Sequence, residues 1–338
     1  FTVTNGNVKV NGATNTLTVI GDVSLNGGNM FNTGTVPTGA HTYGSLTIAG
    51  STTYKATSGT TTILGSSGGF AILDEGTFTH NGGTVHIDYE TSNLNSSTRI
   101  HQNGAKKINN LEIEMNRTTD EVTLSVVSGT SQGLAGTFTL TKGEAMLYNN
   151  SHAFDVDGDF TVAANGTWGA VAHTGAHEFG SVTIASGGTF IATSGTTTID
   201  NETSNLSLSN AGTFTHNNGT LAITSQQNSG IKTGSSKLYN LLINAVGANT
   251  VYIENDTEIL NDFTITTGRV RAHNVAGSTN YAFTVRGNTL VTYHTLDLRD
   301  TNHTFDGVIA VGSSGILTLS TGTNNMNGGI RNLGGTVS

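Results

Sequence analysis

Apolar and hydroxyl-bearing residues alternate in short runs along most of the chain. Ser45-Leu46-Thr47-Ile48, Thr77-Phe78-Thr79, Asp159-Phe160-Thr161-Val162 and Leu317-Thr318-Leu319 all follow this pattern. A period of two sends successive side chains to opposite faces of an extended backbone. Each run therefore predicts a strand with one face buried and one face wet. Gly, Asn or Asp interrupts the runs at roughly 8- to 15-residue spacing, supplying the left-handed corners of tight turns. No segment carries a helical period.

The strands recur at a fixed distance. GAHTYGSLTIAGSTTYKATSGTTTI at 39–63 returns as GAHEFGSVTIASGGTFIATSGTTTI at 175–199, and GTFTHNGGTVHI at 76–87 returns as GTFTHNNGTLAI at 212–223. Both are displaced by 136 residues, a self-match long enough to signal a repeat architecture. Weaker matches extend it. Phe1-Thr2-Val3 aligns with Phe138-Thr139-Leu140 and Phe263-Thr264-Ile265, and Leu17 to Asp22 aligns with Phe154 to Asp159 and Phe283 to Asn288. His41, His177 and His303 fall at one aligned position, as do His80 and His216. These matches divide the chain into copies 1–137, 138–262 and a partial 263–338 within one continuous solenoid, 1–338.

An antiparallel sandwich shares the strand spacing, but the Asn-Gly pairs are not consistently placed as two-residue hairpins. The expected fold is all-β, a right-handed parallel β-helix without significant helix. Its coils hold roughly 20 to 25 residues, about five or six to a copy. One coil cannot bury its inward Ile, Val, Leu and Phe alone, so stability comes from the coils above and below. Phe1 opens in a strand pattern and Gly334 to Ser338 closes in one, with no helix, Pro or charge cluster to blunt the sheet edges. The expectation is end-to-end self-association through these edges, or a section of something longer.

Composition narrows the function. With 45 Gly, 1 Pro and only 11% charged residues, the alternating apolar positions are what argue against disorder. The absence of Cys excludes disulfides, thiolate zinc sites and cysteine nucleophiles. A net charge of −9 leaves no basic face, so nucleic acid is not an expected partner. No apolar stretch is long enough to span a bilayer. The Thr, Ser, Asn and Gly surface, and a start at Phe1 without Met or signal pattern, point to a processed chain outside the cell or on its surface.

Asn110-Leu111-Glu112-Ile113, Asn240-Leu241-Leu242-Ile243 and the run from Gly158 to Val162 resemble the coils of secreted bacterial and archaeal parallel β-helix surface proteins, the haemagglutinin-like adhesins and autotransporter passengers among them. The resemblance covers most of the chain in texture. It implies a surface or extracellular role and carries no catalytic residue.

Candidate chemistry is sparse. Asp155, Asp157 and Asp159 around Gly158 form the one dense acidic cluster, and alternating carboxylates at a turn suit Ca²⁺. The aligned positions, Thr18, Ile20 and Asp22 or Thr284, Arg286 and Asn288, do not repeat it. No other cofactor is expected. The nearest acidic pairs, Asp74/Glu75 and Asp120/Glu121, lack a recurring partner set for glycoside cleavage, so the chain does not read as an enzyme. Segments 88–107 and 225–237 differ most between copies and read as loops leaving the solenoid, where Arg99, His101, Lys106 and Lys107 gather.

Sequons stand at Asn95, Asn116, Asn149, Asn165, Asn201, Asn205, Asn218, Asn255 and Asn302. The leading expectation is a structural rod, stalk or head-to-tail filament subunit that is adhesive. The second is a solenoid that binds or acts on surface glycans. The third is ice binding through outward Thr-x-Thr pairs such as Thr60/Thr62, Thr77/Thr79, Thr196/Thr198 and Thr213/Thr215.

Overall fold

The computed structural model describes all residues except 10, 11, 13, 32–35, 66–68, 93–96, 128, 130, 170, 171, 201, 203–205 and 300, and at 92 the backbone alone. It is a parallel β-solenoid of about 14 turns, with one short helix at Tyr89–Ser92. The chain comprises two compact units, Phe1–Val171 and Ala172–Ser338. Each has three-sided coils.

In the first unit, one ladder runs through Thr2–Val3, Val23–Leu25, Leu46–Ile48, Phe70–Asp74, Thr98–Gln102, Glu121–Val126 and the latter half of Phe138–Leu147. A second runs through Leu17–Thr18, His41–Tyr43, Thr60–Ile63, Thr84–Asp88, Asn110–Glu114 and the first half of Phe138–Leu147. The third side stacks Asn7–Val8, Asn29–Met30, Thr53–Lys55 and Thr77–Thr79. The second unit repeats this plan. His177–Ile184, Thr196–Ile199, Thr220–Ile223, Asn240–Asn244 and Phe263–Thr267 follow one another on one of its sides. Register steps range from 19 residues, Thr250↔Arg269, to 29, Phe70↔Arg99.

Alternation sets the faces as expected. In Thr77–Thr79 only Phe78 is buried, and in Thr60–Ile63 the inward residues are Thr61 and Ile63. Inward rings stack in register. Phe138 and Phe160 are parallel with centroids 4.5 Å apart, and Trp168 stands edge-on to both, at 5.9 and 5.4 Å. Such pairs add about 0.5–1.5 kcal/mol each beyond area burial.

The corners explain the Gly and Asn. Asn81 and Gly82 have φ of 51° and 77°, and their counterparts Asn217 and Asn218 have 46° and 59°. A Cβ on the following Gly83 would collide with the Thr57 carbonyl oxygen of the preceding coil, and one on Gly219 with that of Thr193. His80 and His216 belong to these corners. Each Nδ1 accepts a backbone N–H, from Gly82 or Asn218, at 3.0 Å.

Three expectations change. Thr2 pairs with Ser24, whereas Phe138 pairs with Leu111, so the two segments lie on different sides of the coil. His177 pairs with Thr197, whereas His303 pairs with Asn324 in a separate sheet. Segments 88–107 and 225–237 are not excursions throughout, because Thr98–Gln102 and Ser229–Lys232 are paired ladder strands.

Candidate functional site

The outward face of the first unit's first ladder gathers side chains far apart in sequence. Arg99 lies beside Phe70 across one register step, and its guanidinium carbon sits 5.5 Å from the Phe70 ring centroid and 4.1 Å from that of Tyr148. Both distances are within cation–π range. On the following rung come Glu121, Thr123 and Ser125, and beyond it Glu144, which pairs with Glu121. His101 Nδ1 is 2.7 Å from Ser125 Oγ, and Thr123 Oγ1 donates to Glu121 Oε1 at 2.7 Å. Gly69, Phe70, Ser97, Thr98, Arg99, Glu121 and Thr123 line an open cleft of about 320 Å³, with Tyr148 62% exposed at its side. Burial and then the Glu121 charge push the Glu144 carboxyl up; burial and then Arg99 hold the His101 imidazole down.

The acidic cluster is differently employed. Lys106 Nζ lies 2.5 Å from both Asp155 Oδ2 and Asp157 Oδ1, so an ammonium occupies the place expected for Ca²⁺. Asp159 is exposed at the next outward position. Among the described residues no group of three His, Asp or Glu could hold a metal ion. Lys106 thus faces Asp155 and Asp157 and does not join Arg99 and His101, while the charges of Lys107 and His101 both act on Asp74.

The aspartates of the two sequence-adjacent acidic pairs are taken up by turns, while Glu121 lines the cleft. Asp74 accepts the Gly76 and Asn103 N–H groups, and Asp120 accepts that of Arg117. A pair the sequence did not flag joins the helix to a ladder strand. Glu90 and Glu114 are hydrogen-bonded, with Lys142 3.1 Å from Glu90 and His86 3.7 Å from Glu114. Lys142 holds Glu90 below the usual range; burial and then Glu90 push Glu114 up. Carboxyls in direct contact leave no room for the sugar carbon that needs a separation of roughly 5 Å or more.

The Thr-x-Thr rungs are interrupted along their ladders. Thr62 is flanked by Thr42 and His86, Thr79 by Lys55, and Thr215 by Ile191. The sequons divide similarly. Asn149, Asn165, Asn218 and Asn302 are exposed, and Asn116 is half-buried. The side chain of Asn255 is tied into a corner, where Nδ2 donates to Gly234 O at 2.9 Å and Asp256 O at 2.6 Å while Oδ1 accepts the Thr233 N–H at 2.6 Å. A glycan on that nitrogen would displace these bonds. Asn95, Asn201 and Asn205 lie outside the described residues.

Sequence reasoning missed a recurring device at the corners. A side-chain oxygen of one coil accepts a backbone N–H of the next: Asn240 from Asp262 at 3.2 Å, Asp262 from Asn288 at 2.8 Å, and Asn288 from Val308 at 3.1 Å. Asn29, Asn110 and Asn228 do the same for Thr53, Thr137 and Thr250. The signal was present as Asn or Asp recurring about one coil apart. Comparison with protein-family models, curated proteins and solved structures finds no match to the chain. No helix among the described residues is long and apolar enough to cross a membrane.

Proposed function

We propose that the chain is a structural β-solenoid of the cell surface or extracellular space, a rod, stalk or filament subunit with adhesive capacity, and not an enzyme. The observation that carries this reading is the run of corner acceptors from Asn240 through Asp262 and Asn288 to Val308, which ties each coil to the next. A parallel run of charge supports it. Lys237 and Arg286 both meet Glu258 at 2.8 Å, Arg286 reaches Asp306 at 3.0 Å, and Asp306 accepts from Asn327 at 2.7 Å. These devices resist separation of coils and have no part in turnover. Asp155 and Asp157 are engaged by Lys106, Asp74 and Asp120 by turn N–H groups, and Glu90 and Glu114 by one another.

Immunogold labelling with negative-stain microscopy of native cells tests the reading. Label on external rods or filaments is the expected result, and label confined to the cell interior would overturn it. Light scattering across a wide concentration range separates the filament from the stalk. Growth with concentration is expected of end-to-end joining, and a constant monomer would remove the filament version.

A further inference from the structure

We propose that the cleft lined by Phe70, Arg99, Glu121 and Thr123, with Tyr148 beside Arg99, is a binding site for a neutral polysaccharide. This goes beyond the scaffold reading and stands whether or not the solenoid forms a rod. The site is pre-shaped. The Arg99 guanidinium is held by two rings, at 5.5 Å from Phe70 and 4.1 Å from Tyr148, and Arg99 lines the cleft. Thr123 holds the Glu121 carboxylate. A cleft of about 320 Å³ is at the lower end of ligand-binding size.

A hexose presents hydroxyls that both donate and accept around its edge, and C–H groups on its faces. The cleft offers the complements: guanidinium donors, a carboxylate acceptor, the Thr123 and Ser97 hydroxyls and the Phe70 ring, with the exposed Tyr148 ring against Arg99 at its side. The charge selects against acidic sugars. Glu121 and Glu144 stand on adjacent rungs, Glu144 already resists ionisation, and the chain carries −9 overall. The backbone selects against a peptide adding as a strand. Phe70–Asp74, Thr98–Gln102 and Glu121–Val126 are each paired in the ladder on both sides, so no sheet edge is open at the cleft.

The second unit supplies an internal control. The residue 136 positions beyond Phe70 is Leu206, and its register partner, where Arg99 pairs with Phe70, is Gly230. The next rung places Tyr252 opposite Gly230 where Thr123 stands opposite Arg99. The repeat has kept the ladder there without the guanidinium. Among the described residues the corresponding position of the second unit therefore lacks the site.

Affinity gel electrophoresis of the full chain tests this, with laminarin and galactomannan as neutral probes and polygalacturonate as the acidic one. Retardation by at least one neutral probe is expected, with Tyr148→Ala and Arg99→Gln each weakening it about tenfold or more. Tyr148→Phe keeps the ring and should retain binding, as should Tyr252→Ala. Because Tyr148 is exposed, its truncation leaves the core intact, and an unchanged far-ultraviolet circular dichroism spectrum verifies this. No retardation by either neutral probe, retardation indifferent to Tyr148→Ala and Arg99→Gln, or preference for polygalacturonate would each overturn the proposal.

Discussion

At the scale of single residues, the buried histidines carry the clearest consequence. Both ring nitrogens of His41 are buried without a hydrogen-bond partner, and the ring stacks on Phe31 with centroids 4.8 Å apart. Protonation would put a bare charge into a dry core, so burial holds its pKa down to about 4. Burial does the same for His173, to about 4, and for His177, to about 3, with the neighbouring His173 adding to the latter. The unfolded chain keeps the ordinary value of about 6.5. As pH falls from about 6.5 to about 4, the unfolded state binds protons that the fold refuses, so stability drops through that window and is unaffected above it. His41→Phe preserves the stack and removes one such proton. Urea unfolding at pH about 7 and about 4 should show the variant losing on the order of 3 kcal/mol less than the parent. Burial raises the Asp74 carboxyl and works in the opposite sense, and comparing variant with parent cancels it. Equal losses would mean that His41 takes its proton inside the fold. The recurrence of His41 as His177 was legible in the sequence, but its depth was not, because a three-residue alternation reads equally well in either direction.

At the scale of strands and corners, the alternation, the Gly corners and the parallel stacking were legible because each follows from local chemistry. The cleft was not. Phe70 and Arg99 are 29 residues apart and Tyr148 a further 49, and only the register brings them onto one face. The corner acceptors were half legible. Asn was read as a residue that tolerates a turn, whereas its larger contribution is to satisfy an N–H of the next coil that the ladder leaves over. Asn255 puts a magnitude on this. Removing its amide orphans the Thr233 N–H, which it holds at 2.6 Å, and the Gly234 carbonyl, which it holds at 2.9 Å, in a half-buried corner. Asn255→Ala should lower stability by about 2 kcal/mol, because orphaned groups carry their desolvation penalty. Asn302→Ala is the comparison. Asn302 is exposed and accepts one bond, from the Thr323 N–H at 3.0 Å, so it should cost less than about 1 kcal/mol. Equal urea midpoints for the two variants would show that the Asn255 corner contributes no more than an exposed turn.

At the scale of the whole molecule, the 136-residue offset was right about architecture where the match was long. It reproduces His41↔Thr61 as His177↔Thr197 and Thr60↔Thr84 as Thr196↔Thr220. The short matches at other offsets, at Phe1 and His303, misled, because every side of a three-sided coil presents the same alternation. That sameness has a thermodynamic counterpart. Each coil packs on its neighbours alone, so stability sums over adjacent coils and cooperativity decays along the stack. Each unit has its own buried aromatic cluster, with Phe138, Phe154, Phe160 and Trp168 in the first and Phe263, Phe283 and Phe305 in the second. Trp168 is the chain's one tryptophan, so its fluorescence reports the first unit, while circular dichroism reports both. Phe263→Ala opens a cavity beside Phe283, whose ring centroid is 5.1 Å away, and should cost about 3–5 kcal/mol locally. The dichroism transition should then broaden or split towards lower urea while the Trp168 midpoint stays where it was. Phe160→Ala, beside the indole at 5.4 Å, should move the Trp168 midpoint and leave a later dichroism phase in place. If both probes shift together in either variant, the chain unfolds as one cooperative block, and coupling must extend well beyond adjacent coils.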